Sequence, residues 1–204
     1  KTKLVPKIEA VSCWDFYPDP DATTIEDADY VIQRHVYTRA QVRDLMNRPF
    51  FRKEAIKDSL AMGPSYESRG YEASLQDRES TDDLNKNRYE ILEFWGILDT
   101  ELAREAGLEL DDDIDELDEI QVNCWVCNGE VIRLVLNPFT PTRLPYLVCP
   151  YEINPYQFFG VGIPENMDDS QTIMNGHARM AIDNLALAGN LVFDIDETLL
   201  VPGQ

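Results

Sequence analysis

Residues 120–127, IQVNCWVC, and residues 130–136, EVIRLVL, lie on either side of Asn128-Gly129. Both flanking stretches are rich in the branched and aromatic residues that strands prefer. Asn-Gly is the sequence most typical of a two-residue turn in which both central residues have positive φ. The stretch therefore predicts an antiparallel β-hairpin over residues 120–136, and with it a fold built on a sheet.

Further strands and short helices are predicted on both sides of this hairpin. Thr38 and Gln41 have the spacing of a helix capping box. By residue composition and periodicity the strands cover residues 7–14, 30–36, 89–98 and 144–149, and the short helices cover residues 38–47, 52–61 and 100–108. Residues 63–87 and the acidic run 110–119 are predicted to be solvated loops, and the acidic run lacks the glycine of a calcium-binding EF-hand loop. The sequence thus predicts an α+β fold of mixed strands and short helices.

A single long helix is predicted near the C-terminal end of the sequence. Pro164 and the acids that follow it are typical of a helix start, and Gly189-Asn190 is typical of a helix end. At 1.5 Å per residue the helix would be roughly 35 Å long. Its apolar residues are expected to cover one broad side.

Polar side chains recur along this helix at a strict four-residue spacing. Such a stripe drifts about 40° around the helix at each step. In the simplest interpretation this side faces water, and in the alternative it makes hydrogen bonds between subunits that pack side by side. The candidate inter-subunit residues are Gln171, Asn175, Arg179 and Asp183.

The composition excludes several classes of function. With 18 Lys and Arg against 38 Asp and Glu, the net charge is −20, which argues against a surface that holds nucleic acid by neutralising phosphates. An acidic surface can still repel a polyanion and let it slide past. No segment approaches the ~20 apolar residues of a membrane span, so no membrane contact is expected. The chain begins at Lys1 and stops just after an apolar stretch, and it is therefore expected to be a fragment.

Cys124 and Cys127 form a Cys-x-x-Cys pair, which can be a redox pair or half of a zinc site. On a strand, residues three apart point to opposite faces, which disfavours both uses. The other potential ligands are scattered singles: Cys13, Cys149, His35 and His177. A small zinc-binding module around Cys124 and Cys127 stays an alternative, while the leading expectation is a protein without metal or other cofactor.

The last part of the sequence supports a second alternative interpretation of the protein's function. Residues 193–200, FDIDETLL, resemble the nucleophile motif of the haloacid dehalogenase phosphatases, with Asp194 as nucleophile and Asp196 as acid and base. In that fold the other catalytic groups come from later strands, and only six residues follow Thr198 here. A truncated phosphatase is therefore the alternative, and the leading expectation is a chain with no catalytic residues.

One resemblance extends over nearly the whole sequence. Its order of segments resembles the portal (head–tail connector) proteins of tailed bacteriophages, in the lineage of the short-tailed phages. The segments that carry the resemblance are residues 14–22, 28–38, 89–96, 128–133, 136–139, 144–146 and 158–171, followed by Asn175, Arg179 and Asp183-Asn184.

The resemblance implies a structural, non-enzymatic subunit of a closed ring of about twelve copies at one capsid vertex of the virion. Double-stranded DNA would pass through the ring during packaging and ejection without sequence-specific binding. The implied partners are the terminase motor, capsid or scaffold proteins and tail adaptors, with assembly in the host cytoplasm. Residues 1–160 would be a wing-like region, residues 161–190 a stem-like helix, and residues 191–204 the start of a truncated following segment.

Overall fold

A computed structural model describes residues 8–66, 87–111, 119–139 and 144–190 of the 204-residue chain. Its centre is a five-stranded antiparallel sheet in which the strands lie side by side in chain order. The strands are β1 (Phe16–Pro18), β2 (Tyr30–Thr38), β3 (Arg88–Asp99), β4 (Glu119–Cys127) and β5 (Glu130–Leu136). The helices are α1 (Arg39–Leu45), α2 (Lys53–Met62), α3 (Thr100–Glu105) and α4 (Ile163–Asn190). This combination of sheet and helices confirms the α+β prediction.

The predicted hairpin is strands β4 and β5. Asn128 has φ 53° and Gly129 has φ 83°, the positive values that this turn requires. The side-chain amide of Asn128 also donates hydrogen bonds of 2.9 Å to the carbonyls of Ser59 and Gly63 at the end of α2. The turn therefore fixes the position of a helix as well as the register of two strands.

The sheet is covered on both faces, and three apolar clusters form its core. The face that carries Ile91 and Trp95 of β3 is called the first face, and α1 and α2 pack over one end of it. Helix α3 packs on the opposite face. The first cluster contains Val42, Leu45, Ile56, Leu60, Tyr89, Ile91, Trp125, Cys127 and Ile132. The second contains Phe16, Ala22, Ala28, Val31, Trp95 and Leu144. The third, under α3, contains Ala103, Ile120, Val122 and Leu134.

The short helices begin where their sequences predict. Thr38 and Gln41 form a complete capping box, in which the Thr38 hydroxyl accepts from the Gln41 amide and the Gln41 side chain accepts from the Thr38 amide. Before α2, the Arg52 guanidinium donates to the carbonyls of Ala106 and Gly107. This contact ties the start of α2 to the end of α3.

The chain divides into two compact units. The described residues up to Cys149, together with Pro155–Phe158, form the first, and Pro150–Asn154 with the described residues from Phe159 onward form the second. In the second unit an isolated antiparallel bridge joins Glu152 to Val161 just before α4. Helix α4 is 28 residues long, so the prediction of a long helix is confirmed.

Two predicted strands are wrong. In the stretch 7–14, the Ser12 hydroxyl accepts from the Trp14 amide and starts a short 3-10 helix, Cys13–Asp15, so strand pairing begins only at β1. Residues 144–149 form no strand, because Pro145 has no amide hydrogen to donate to a ladder. That segment is held by side chains instead, since the Tyr146 hydroxyl donates to Gln33 Oε1 at 2.8 Å.

Three predictions fall wholly or largely outside the described residues: most of the loop 63–87, most of the acidic run 110–119, and the FDIDETLL motif of residues 193–200.

Candidate assembly surface

Helix α4 exposes its whole circumference in the single chain. All residues from Ile163 to Gly189 are exposed, including many large apolar ones, and Leu185 is 73% exposed. The exposed large apolar side chains of α4 are Ile163, Met167, Ile173, Met174, Met180, Ile182, Leu185 and Leu187. An apolar surface of this extent on a regular element is typical of a protein–protein interface. No helix in the described ranges is both long and apolar enough to cross a membrane.

The predicted polar stripe lies on this helix. Gln171, Asn175, Arg179 and Asp183 are all exposed, and the Gln171 side-chain amide donates to Asn175 Oδ1 at 3.1 Å. The helix thus has both an apolar and a hydrogen-bonding surface available for other molecules. Which of these residues contact another subunit stays a prediction.

The start of α4 is anchored within its own unit. The Val161 amide donates to the Glu152 carbonyl at 2.9 Å, and the Asn166 side chain donates to Glu152 Oε2 at 2.6 Å. A Cβ on Gly160 would collide with the Glu152 carbonyl oxygen, so this close approach requires glycine. These contacts fix the direction in which the helix leaves the segment before it.

A second exposed apolar stretch precedes α4. Between Leu147 and Phe159 the only charged residue is Glu152, in a chain of net charge −20. Its exposed large side chains are Leu147, Val148, Tyr151, Ile153, Tyr156 and Phe159. Copies of so acidic a chain repel one another, and this stretch of sequence adds almost no charge to that repulsion.

A buried polar cluster crosses the first face of the sheet, and the sequence analysis missed it. Glu93 Oε2 accepts from His35 Nε2 at 2.7 Å, and Glu93 Oε1 accepts from Trp95 Nε1 at 2.8 Å and Asn123 Nδ2 at 3.0 Å. The sequence of β3 contained a signal for this cluster. Side chains alternate between the two faces of the strand, and Glu93 takes the place of an apolar residue on the face that carries Ile91 and Trp95.

The surroundings of Glu93 favour the ionised form of its carboxyl group. Burial alone would raise the pKa of Glu93, but the hydrogen bond from His35, the His35 charge and the bonds from Asn123 and Trp95 together lower it. Burial, with a smaller contribution from the nearby Glu93 carboxylate, raises the pKa of Tyr146. The cluster has a structural arrangement, in which each Glu93 oxygen accepts from a protein donor.

The two cysteines of the Cys-x-x-Cys pair lie in different parts of the core. Cys127 belongs to the cluster under α1 and α2, and Cys124 packs against the cluster under α3. Burial raises the pKa of the Cys127 thiol to about 11, which makes it a poor metal ligand and nucleophile at neutral pH. The described residues contain no group of three or more potential metal ligands.

The two histidines also lie apart. His35 stacks on Trp125 inside the sheet with ring centroids 5.2 Å apart, whereas the exposed His177 bonds through Nδ1 to the Ile173 carbonyl of its own helix at 3.0 Å. His35 therefore lies in a structural environment, whereas the His177 ring is exposed on the surface of α4.

The comparison with known families yields one match that covers most of the chain. Residues 1–197 match the family model described as phage SU10 portal protein. No curated protein matches the chain. The matched range contains the whole sheet, the cysteine pair, α4 and its polar stripe.

Proposed function

The chain belongs to the phage SU10 portal protein family, and from this premise we propose that it forms the wall of the conduit through which phage DNA is packaged and ejected. Portal proteins are structural subunits of an oligomeric ring in the phage capsid. The finer proposals are a ring of about twelve copies, terminase, scaffold and tail adaptor proteins as partners, and assembly in the host cytoplasm.

The observation that carries this proposal is the exposure of α4 around its whole circumference. Fully burying one large aliphatic side chain contributes roughly 1.5–3 kcal/mol, and α4 leaves eight large apolar side chains about half or more exposed. A single chain gains nothing from these residues, whereas neighbouring copies can bury them. The polar stripe of Gln171, Asn175, Arg179 and Asp183 would supply hydrogen bonds to neighbouring subunits.

The same features support a division of the chain into three regions. We propose residues 1–160 as the wing-like region, with the five-stranded sheet as its rigid part. Residues 161–190 form the stem-like helix, and residues 191–204 begin the segment that follows it. The nearly uncharged stretch 147–159 lies next to the helix in sequence.

The family match also bears on the phosphatase alternative. The match extends to residue 197 and so includes Asp194 and Asp196. The inclusion of both aspartates in the portal family match supports the portal interpretation over the phosphatase alternative. A structural role accounts for them without a catalytic site.

The experiment that tests the proposal is the assembly state of a chain carrying residues 1–204. Native mass spectrometry and negative-stain electron microscopy should show closed rings in equilibrium with monomers. Arg179→Ala should raise the concentration needed for ring formation while leaving the thermal unfolding of the monomer unchanged. A chain that stays monomeric at every concentration reached contradicts the proposal.

A further inference from the structure

Basic residues are concentrated in one segment of this acidic chain. Residues 39–57 contain six of its 18 Lys and Arg and only two of its 38 Asp and Glu, so the segment is positive in a chain of net charge −20. It covers α1, the turn to α2 and the first half of α2, and both helices pack on the apolar cluster that contains Trp125. A local positive surface attracts groups that the rest of an acidic protein repels.

The turn between α1 and α2 holds Phe50 in a strained conformation. Its φ is 66°, in the left-handed region that bulky residues rarely adopt. On one side of Phe50, the Arg48 amide donates to the Leu45 carbonyl at 3.0 Å. On the other side, the Arg52 amide donates to the Ile132 carbonyl at 2.8 Å. Strained conformations persist where the surrounding structure determines them, and they are concentrated at functional sites such as ligand clamps.

The turn places one of two adjacent phenylalanines in solvent. Phe51 packs on the core, edge-on to Trp125 with ring centroids 5.4 Å apart. Phe50 is 73% exposed and belongs to none of the three apolar clusters of the described residues. The fold therefore gains neither apolar burial nor a relaxed backbone from Phe50. An exposed aromatic ring beside arginines has the composition of an anchor point in protein–protein contacts.

Next to this turn, Arg133 carries a positive charge without a carboxylate partner. It forms an isolated antiparallel bridge with Phe51, and its Cζ lies 5.3 Å from the centre of the Phe51 ring. Its Nε is buried without a hydrogen-bond partner, and no acidic side chain in the described part of the chain pairs with it. The residue as a whole is still partly exposed. A charged group whose buried donor lacks an acceptor calls for a further partner.

Two neighbours of Arg133 add to this requirement. Trp125 is its register partner in the ladder of β4 and β5, is only 6% exposed, and has its Nε1 buried with no acceptor among the described residues. Burial lowers the pKa of Arg133, the Glu93 charge opposes this shift, and the charge of the exposed Arg48 adds to it. Two positive groups therefore lie close together, beside donors that have no acceptor.

We propose that Arg48, Phe50 and Arg133 form a docking surface for an acidic segment of another protein. A carboxylate of that segment pairs with the two arginines, and an apolar side chain next to it packs on Phe50. Guanidinium groups bind carboxylates through paired hydrogen bonds, and a charge that is already partly desolvated loses less hydration when its partner binds. The surface lies in the first unit, and the proposal does not depend on ring formation.

Arginine also binds phosphate, but the charge distribution favours a protein partner. Outside residues 39–57 the acidic residues far outnumber the basic ones, so a long polyanion would meet repulsion from the rest of the chain. A short acidic segment needs to contact only the docking surface. The exposed ring of Phe50 also matches an apolar side chain of a peptide better than it matches a sugar–phosphate backbone.

Peptide binding to the unmodified 204-residue chain tests the proposal. The probe is a fluorescein-labelled synthetic peptide of Glu and Leu residues, and its binding is measured by fluorescence anisotropy at low salt. The same peptide with Gln in place of Glu should bind about tenfold more weakly or worse, because it has no carboxylate. A duplex DNA of equal charge should also bind more weakly than the acidic peptide.

Substitutions then locate the binding surface. Phe50→Gly should weaken binding of the acidic peptide about tenfold without lowering the melting temperature, since glycine adopts positive φ without strain and the Phe50 ring is exposed. Arg48→Gln and Arg133→Gln should each weaken binding by a similar factor. Lys57→Gln removes one positive charge from an exposed position of α2, and as the matched control it should weaken binding less than about twofold.

The opposite outcomes overturn the proposal. Absence of peptide binding, or equal binding of the Glu and Gln peptides, would show that the surface does not recognise carboxylates. Stronger binding of the duplex DNA would identify nucleic acid as the ligand instead. An effect of Lys57→Gln as large as that of Arg48→Gln would mean that only net charge matters, and a lower melting temperature of Phe50→Gly would mean that this ring serves the fold. If Arg133→Gln does not fold, Arg48→Gln and Phe50→Gly still decide the result.

Discussion

His35 and Glu93 lie on neighbouring strands of the sheet, and His35 Nε2 is 2.7 Å from Glu93 Oε2 between two apolar clusters. Trp95 and Asn123 donate to the other oxygen of the same carboxylate. A carboxylate that is bonded at both oxygens and largely removed from water fixes the register of β2, β3 and β4 relative to one another, since a slip of one residue would separate it from His35 on β2 or from Asn123 on β4.

Glu93→Gln should lower the free energy of unfolding by about 2–4 kcal/mol, because the neutral amide removes the buried negative charge to which His35, Trp95 and Asn123 donate and keeps only one of the two accepting oxygens. Chemical denaturation followed by tryptophan fluorescence measures the change. Glu119→Gln, at the exposed start of β4, is the matched control and should change stability by less than about 0.5 kcal/mol. Equal effects of the two substitutions would show that the cluster contributes nothing specific.

The stability that Glu93 provides should depend on pH. Its pKa in the folded chain is lowered from the ordinary value of 4.5, so the folded state favours the ionised carboxylate more than the unfolded state does. This contribution is complete above the unfolded-state pKa and is lost as the pH falls through the folded-state value. The difference in unfolding free energy between the unsubstituted chain and Glu93→Gln should therefore shrink between pH 7 and pH 3, and a constant difference would contradict the assignment.

Two glycines should respond in opposite ways to alanine. A Cβ on the buried Gly96 would come within 2.5 Å of Tyr30 Cβ and 2.9 Å of the Asp29 carbonyl oxygen, so Gly96→Ala should destabilise the chain by about 2 kcal/mol or more. Gly176 lies inside α4 with open space around it, and Gly176→Ala should stabilise that helix by about 0.5–1 kcal/mol. Thermal unfolding of both variants provides the comparison, and a destabilised Gly176→Ala chain would mean that this position needs its glycine.

The cysteines should differ in reactivity. Cys13 and Cys149 are exposed, whereas Cys127 is buried and burial raises the pKa of its thiol to about 11. With iodoacetamide at pH 7.5 the two exposed thiols should be alkylated in the folded chain, and Cys127 should react only after unfolding. Peptide mass spectrometry measures both. Rapid alkylation of Cys127 under native conditions would indicate that β4 opens locally.

The sequence predicts most of the elements of this fold, because their signals are local. Asn128-Gly129 specifies its turn, Thr38 and Gln41 specify a helix start, and the spacing between Pro164 and Gly189 specifies a long helix, all within short stretches of chain. The two incorrect strands failed for local reasons as well. In each, a single residue, Ser12 or Pro145, directs the backbone away from a ladder.

The polar cluster and the assembly surface could not be predicted in the same way. Glu93 and His35 are 58 residues apart in the chain, and only the register of β2 against β3 brings them together. The exposure of α4 became apparent only in the structure, where residues 163–189 are all exposed. The sequence pattern placed polar residues on this helix but did not show that its apolar residues are exposed in the single chain.

Asn128 has two functions that substitutions can separate. Asn128→Gly keeps the positive φ of the turn but removes the amide that donates to Ser59 and Gly63, so it should cost about 1–2 kcal/mol of stability. Asn128→Asp tolerates the same φ but places carboxylate oxygens against two carbonyls, and it should cost more than glycine does at neutral pH. Equilibrium unfolding of both variants gives the order. If the aspartate variant is as stable as the unsubstituted chain, the contact between the hairpin and α2 does not stabilise the fold, and the turn conformation alone explains the residue.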